Sequence, residues 1–445
     1  FRYVYTRAAK DELTTNSFFS SSFVEITPYK DLKVRQNVGF SYNINERDVY
    51  YNRETVEGKD PTNGYASKAD NWSKNLVLET MATYNKTFNR NHSLNVVAAF
   101  SYERGDYGNK AMVATGFPQD LTEDFDMSAA VNPQKPTSGR GMTSLVSFLG
   151  RANYNLMNKY LFTASFRRDG SSKFAKNNRW GYFPSASIAW RMEQEEFLKD
   201  VSWLNQLKLR FSYGATGNQS IDPYTTFSMY GQGSGEISYA DGTGNKTTAM
   251  VVTNLSNSSL KWEKTSSWNV GLDFGLFNSR LSGTLDIYQK KTTDLLISRN
   301  LPGSAGFSST YYNQGSLNNK GVEFSLNAQI IDSSSWKWSV SGNIGVNRNE
   351  ISDLGLLPAD FGCLGERVGY YGNSLGDHFG VGHIFLAGEA PGLFYGYVTQ
   401  GIVQKEDITE NGIKYIKQDG SVGYYQTVNK TTPVAGDVKY VDRNG

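Results

Sequence analysis

The sequence predicts an all-β protein, the wall of an antiparallel transmembrane β-barrel with short periplasmic turns at one end and long extracellular loops at the other. Three observations lead there. Of 445 residues, 14% are aromatic, 44 are glycine and only 38% are hydrophobic, a balance that favours strands over helices. Apolar and polar residues alternate with period two in segments of about ten residues, as in strands with two unlike faces. Short turns alternate with long polar stretches, as in outer-membrane barrels whose crossing strands need about 9–11 tilted residues and carry aromatic girdles.

Other classes are excluded by simple counts. The formal net charge is +2, too small a field for a nucleic-acid partner. Cys363 is the single cysteine, so neither a disulfide framework nor a four-cysteine zinc site can form within the chain. Apolar runs such as Val96 to Phe100 fall far short of the roughly 20 residues of a spanning helix. The chain opens at Phe1 in strand-like sequence without an initiator Met and is expected to be an internal piece of a longer protein.

The elements follow in order. Leu32, Val34, Val38, Phe40, Tyr42 and Ile44 alternate with Lys33, Arg35, Asn37, Gly39, Ser41 and Asn43. The pattern returns at Leu94, Val96, Ala98, Phe100 and Tyr102, and at Leu207, Leu209, Phe211 and Tyr213. Two hairpins strengthen it: Trp268 to Phe274 with Leu281 to Ile287, and Val322 to Ile330 with Trp336 to Val346. Short turns are expected at 28–31, 89–92, 155–159, 277–280 and 332–335, with a helical turn in 193–198. Long loops are expected at 46–71, 104–142, 214–263 and 291–318. About thirteen strands fit between Phe1 and Asn349, so 1–350 reads as barrel strands with their loops. Residues 351–445 read as an extracellular excursion ahead of further strands.

Aromatics fall in two groups. Tyr160, Trp190, Trp336 and Trp338 lie near short turns, and Trp180, Tyr182 and Trp268 near long loops, the arrangement of two lipid-interface belts. In 167–190, Arg167 to Arg179 is expected to be a loop and Trp180 to Trp190 the strand descending from it. Tyr182, Pro184, Ala186, Ile188 and Trp190 would face lipid, and Phe183, Ser185, Ser187 and Ala189 the lumen. Pro184 removes a ladder donor, and a local bulge is expected there. A soluble β-sandwich or propeller with aromatics in its core stays open as the alternative.

Signals for catalysis are weak. The histidines are His92, His378 and His383, with no third ligand placed beside the last two. No serine sits in a Gly-x-Ser-x-Gly context, and the glycines at 231–235 precede no helix. Asp437, Asp442 and Asn444 form half of a calcium-type loop whose other acidic ligands would lie past Gly445. A bound Ca2+ is therefore a candidate cofactor.

Specific stretches carry a family likeness. Phe148-Leu-Gly-Arg-Ala-Asn-Tyr154, Lys159 to Phe174 and Trp180 to Trp190 resemble the SusC/RagA family of TonB-dependent outer-membrane transporters. So do Glu196 to Lys199, Leu207 to Asn218, Leu260 to Lys264, Asn318 to Phe324, Gly392 to Val398 and Gly436 to Gly445, in the family's order. The resemblance implies a 22-stranded barrel around a plug, with a TonB box and a SusD-like surface lipoprotein as lid. Neither plug nor TonB box is in this chain.

It further implies a bacterial outer-membrane importer of oligosaccharides or oligopeptides rather than an enzyme. A passive porin or structural barrel, and a soluble carbohydrate-binding or adhesive β protein, remain the alternatives. Substrate or lid contacts would come from loop tyrosines, Tyr224, Tyr230, Tyr239, Tyr311, Tyr312, Tyr370 and Tyr371, whose rings can stack on sugars or flank a peptide. On the lumen face Arg167, Lys208, Arg210, Glu323, Asn327 and Asn343 would wet the barrel or hold a plug.

Overall fold

A computed structural model of the chain describes residues 8–89, 91–232, 238–240, 246–355, 369–371, 382–395, 398–409, 412–416, 421–425, 434–436 and 438–441. It divides into two units, Phe1–Arg348 and Asn349–Gly445.

The first unit is built on a 13-stranded antiparallel sheet. Its long strands are β1 (Ala9–Tyr29), β2 (Leu32–Tyr51), β3 (Tyr65–Phe88), β4 (His92–Thr115), β5 (Thr137–Leu156) and β6 (Tyr160–Ser171). They continue as β7 (Trp180–Arg191), β8 (Leu204–Asn218), β9 (Glu263–Leu276), β10 (Leu281–Thr293), β11 (Ser316–Asp332) and β12 (Lys337–Asp353). Each pairs with the next in sequence, and a two-residue strand, Asn132–Pro133, adds to the end of β4.

Register explains the alternation. Leu94, Tyr154, Phe162, Ile188, Phe211, Val270, Ile287 and Val322 stand opposite one another from β4 to β11. One residue along, the other face carries Asn95, Asn153, Thr163, Ser187, Ser212 and Asn269 in the same succession. The apolar face has no second layer: Ile188 is 50% and Phe211 49% exposed. A soluble sheet would bury that row; a lipid-facing wall leaves it bare to the acyl chains.

The strands outrun the expectation of about ten residues. β3 and β4 have 24 each, and the loops expected over 46–71 and 104–142 are strand up to Tyr51, from Tyr65, up to Thr115 and from Thr137. From Glu103 to Lys110 both faces are mostly polar, so hydrophobic periodicity fades while the ladder continues. Alternation reports what a face touches, not whether the backbone is paired. Cross-strand bidentate pairs hold these extensions: Arg47 on Asp11 at 2.8 and 2.6 Å, and Arg140 on Asp106 at 2.9 and 2.6 Å. Long loops at 214–263 and 291–318 hold short hairpins of their own, Tyr230–Gln232 with Met250–Val252, Ser238–Ala240 with Lys246–Thr248, and Leu296–Asn300 with Ser309–Asn313.

Two local expectations are corrected. Arg167 to Ser171 belong to β6, so the loop shrinks to 172–179. No bulge forms at Pro184: it stands opposite Phe166 in unbroken register with β6, and pairing with β8 begins one residue later at Ser185. The proline lies where the second ladder has already ended, so its missing N–H is not needed.

The short turns use left-handed residues, the chirality that suits strand twist. Met157 and Asn158 have φ of 54° and 57°, and Phe277, Asn278 and Ser279 of 54°, 58° and 62°. Three such residues in succession are costly without glycine, and tertiary bonds hold them: the Phe277 N–H donates to the Trp203 carbonyl at 2.7 Å and the Ser279 N–H to Asn205 Oδ1 at 3.0 Å. The expected helical turn is a 3-10 turn over Met192–Gln194 followed by irregular turns.

In the second unit, Gly369–Tyr371, His383–Leu386 and Leu393–Phe394 form one small sheet, and Ile408–Thr409, Gly412–Ile416 and Val422–Tyr425 another. Val398–Ile402 pairs with Val438–Val441. These strands have two to five residues, too few to cross a bilayer.

Candidate functional site

The candidate site is the long-loop end of the wall and the polar face below it. Two cores organise the rim. In the first, Phe174, Phe183, Ile221, Leu260 and Trp262 pack together, with Phe174 fully buried. Phe183 stands on the polar face of β7, beside Ser185 and Ser187, and loop residues close around it. Trp262 meets Phe183 edge-on at 5.5 Å and Phe174 at 5.4 Å, and its Nε1 donates to the Arg179 carbonyl at 2.9 Å. Backbone must come close to make room: a Cβ on Gly217 would lie 2.1 Å from the Phe183 ring. The loop residues Phe174, Ile221, Leu260 and Trp262 are therefore folded against the polar face rather than left in solvent.

The second core joins Tyr50, Ala66, Ala114 and Phe117, at the ends of β2, β3 and β4 and the segment after β4. The Tyr50 hydroxyl donates to Asp120 Oδ1 at 2.7 Å, and Arg53 pairs with the other carboxylate oxygen. Nearby, the fully buried Asp124 accepts from Lys10 at 2.9 Å and Lys68 at 2.8 Å. Burial alone would raise the Asp124 pKa, but hydrogen bonds from Lys10 and Lys68 outweigh it and hold the carboxyl below its ordinary value. This one side chain clamps β1, β3 and the loop together.

The polar face carries a chain of bonds across four strands. Asn95 donates to Asn85 at 2.6 Å, Asn153 to Asn95 at 2.8 Å and Thr163 to Asn153 at 2.9 Å. The amide orientations follow from that network. Farther along, Arg210 lies across Gly271 to reach Asp273 at 2.8 Å and Asp286 at 3.2 Å, with Lys208 3.4 Å from Asp273. A Cβ on Gly271 would stand 2.6 Å from the Arg210 guanidinium and the Asp286 carboxylate, so glycine is what lets the pair span three strands. At the short-turn end Glu195 accepts from the Tyr160 hydroxyl at 2.6 Å, Trp190 Nε1 at 3.0 Å and Lys159 at 3.1 Å. These bonds, Tyr160's first, depress its pKa.

The residues singled out in the sequence fall as follows. Tyr224 has φ 69° and accepts from the Met142 N–H at 3.0 Å. Tyr230, 69% exposed, begins the hairpin with Met250–Val252. Tyr239 is opposite Thr247 in its hairpin. Tyr311 packs against the first rim core, and Tyr312 lies under Arg299 at 5.9 Å. Tyr370 and Tyr371 pair with Phe385 and Ile384 in the second unit. Tyr230, Tyr239, Tyr311 and Tyr312 are thus on three separate hairpins of the first unit, and Tyr370 and Tyr371 on a sheet of the second. Asp437, Asp442 and Asn444, the calcium candidates, and His378 lie outside the described residues. Among the described residues no group of three or more His, Cys, Asp or Glu is placed to hold a metal ion.

Of the belt residues, Tyr160 and Trp190 are tied to Glu195, whereas Trp336 and Trp338 are exposed beside the 333–336 turn. Trp180 and Tyr182 flank Arg168, and Trp268 stands opposite Tyr213 on the apolar face. Arg167 grips Asp169 at 2.9 Å and reaches Ser147 at 3.0 Å. Sequence reasoning passed over Asp124, Phe174, Trp262 and the asparagine chain. A weak signal existed for the last, since Asn95 and Asn153 fall on the face opposite the leucines and valines.

A model of the TonB dependent receptor-like β-barrel family matches residues 2–430. The chain is 33% identical over 408 residues to TonB-dependent receptor P3 of Formosa agariphila, covering 92% of this chain and 39% of that one. It is 46% identical over 213 residues to TonB-dependent receptor SusC of Bacteroides thetaiotaomicron, covering 47% of this chain and 21% of that one. The structure of the RagAB peptide transporter shares the fold, with a TM-score of 0.78 at 24% identity over 99% of this chain and 45% of that one. The chain spans less than half the length of each of these proteins. With its two-faced strand wall and bonded polar face, the chain belongs to the TonB-dependent receptor β-barrel family of the bacterial outer membrane, and its likeness to SusC supports the SusC/RagA type.

Proposed function

We propose that this chain supplies part of the wall and rim of a TonB-dependent active importer of oligosaccharides or oligopeptides, working with a SusD-like surface lipoprotein. The observation that carries the reading is the rim. Loop residues Phe174, Ile221, Leu260 and Trp262 are packed onto the polar face around Phe183, which supports a shaped vestibule rather than an open water pore. Exposed rings such as Tyr230 suit stacking on a sugar or a peptide. The peptide arm draws on the likeness to the RagAB peptide transporter. No catalytic step is assigned to the chain.

Uptake of labelled glycans and peptides by cells carrying the full-length protein and its lipoprotein tests this, with and without a functional TonB complex. The importer reading expects uptake of one substrate class that vanishes without TonB. Uptake that persists unchanged without TonB would establish the porin reading instead.

A further inference from the structure

The lipid-facing wall carries a groove whose chemistry is that of a lipid site. On the apolar face Ala82, Ala98 and Gly150 stand opposite one another across β3, β4 and β5, and Phe166 of β6 follows Gly150 in the same row. Phe100 and Phe148, in contact at 5.4 Å, form the row above. Small side chains between large ones leave a trough of about 570 Å³ walled by Phe100, Phe148 and Phe166. A Cβ built on Gly150 would meet nothing within 4 Å, so the floor is open to the bilayer.

Arg168 stands at the top of this trough, toward the long-loop end, opposite Phe148 and Tyr182. Its guanidinium lies 4.1 Å from the Trp180 ring centre and 5.6 Å from that of Tyr182. Among the described residues it has no carboxylate partner, and its buried Nε–H has no acceptor. A charged donor set on a membrane face, stacked but unpaired, calls for an anion. Its neighbour in sequence shows the contrast: Arg167, on the other face, is satisfied by Asp169 and Ser147.

We propose that this trough binds one phosphorylated glycolipid of the outer leaflet, an acyl chain over Ala98 and Gly150 and a headgroup phosphate on Arg168. The source follows from position. Arg168 sits at the long-loop end of an outer-membrane wall, where the surrounding leaflet is phosphorylated, multiply acylated glycolipid. Arginine matches phosphate geometry, and basic sites beside spanning segments take anionic headgroups.

The test uses the full-length protein, stripped of lipid in detergent and titrated by native mass spectrometry. The probes are synthetic bis-phosphorylated hexa-acyl glucosamine disaccharide, its dephosphorylated analogue, and phosphatidylglycerol. Wild type should bind the phosphorylated disaccharide about tenfold more tightly than does R168Q, the scale of one charge-assisted bond. R168K should recover part of the affinity, and G150L, whose Cβ enters open space and whose side chain occupies the trough, should also weaken binding. Should R168Q fail to fold, judged by heat-modifiable gel mobility, the dephosphorylated analogue on wild type measures the same term. Unchanged affinity in R168Q, or wild type holding the analogue equally well, would overturn the site, and equal binding of phosphatidylglycerol would overturn the choice of lipid.

Discussion

The wall manages its extracellular end in two ways, and the contrast shows how one strand pattern can serve different rims. From β1 to β5 the strands themselves run on for 20 to 24 residues, and the extension is held by ion pairs and by Asp124 beneath it. From β6 to β10 they stop after 12 to 15 residues, and the chain after β6 and β8 folds back onto the polar face around Phe183. The first rim adds ladder bonds and charge to a small core of Tyr50, Ala66, Ala114 and Phe117. The second rests on apolar burial, which is the larger force per side chain.

Perturbations should therefore act differently on the two. Phe174→Ala removes a fully buried ring from the second rim, and about 3–5 kcal/mol of local stability should go with it. Hydrogen exchange around Phe174, Ile221 and Leu260 should rise sharply while the strands below stay protected. Gly217→Ala should cost about 1–3 kcal/mol in the same region, since its Cβ meets the Phe183 ring and the core must shift. A limited proteolysis pattern like that of Phe174→Ala, at higher protease, is the expected readout.

In the first rim, Asp124→Asn removes the carboxylate that Lys10 and Lys68 share, and leaves them Glu12 at 3.7 Å and Asp48 at 3.0 Å. The lysines keep some solvent, so the loss should be about 2 kcal/mol rather than the full cost of a stranded buried charge. The linkage has a definite sign. Asp124 has a depressed pKa when folded, so its contribution is complete above the unfolded carboxylate value and fades as pH falls through that value towards the folded one. Acidification should expose the segment around 116–131 to protease in the wild type, and Asp124→Asn should flatten that dependence. Least affected of all should be Asn153→Ala, which opens one water-accessible bond chain at about 1 kcal/mol and should leave heat-modifiable mobility nearly unchanged.

The two regions also differ in how far they can be read from sequence. Faces of the crossing strands were legible because lipid and water impose period two on Leu94 to Tyr102 and on Leu207 to Tyr213. Above the bilayer that pressure ends. Glu103 to Lys110 is paired strand, yet its composition is that of a polar loop. The rim cores were hidden for a related reason: Phe174 and Trp262 lie in polar tracts, and their burial depends on strand ends brought together across about 80 residues of chain. Asp124 reads as one loop carboxylate among many until Lys10 and Lys68 are seen around it. Pro184 misled because the position of the end of the β7–β8 ladder cannot be inferred from the proline alone.

The assignment of faces underlies all of this, and adjacent residues on one strand test it most directly. With Cys363 and any other native cysteine of the full-length protein replaced by Ser, Ile188→Cys and Ser187→Cys variants can be compared in reconstituted membranes. A spin label at 188 should be quenched by lipid-dissolved oxygen and shielded from a water-soluble nickel reagent, and a label at 187 should show the reverse. Equal access to the aqueous reagent at both positions would contradict the account of β7 as a membrane crossing.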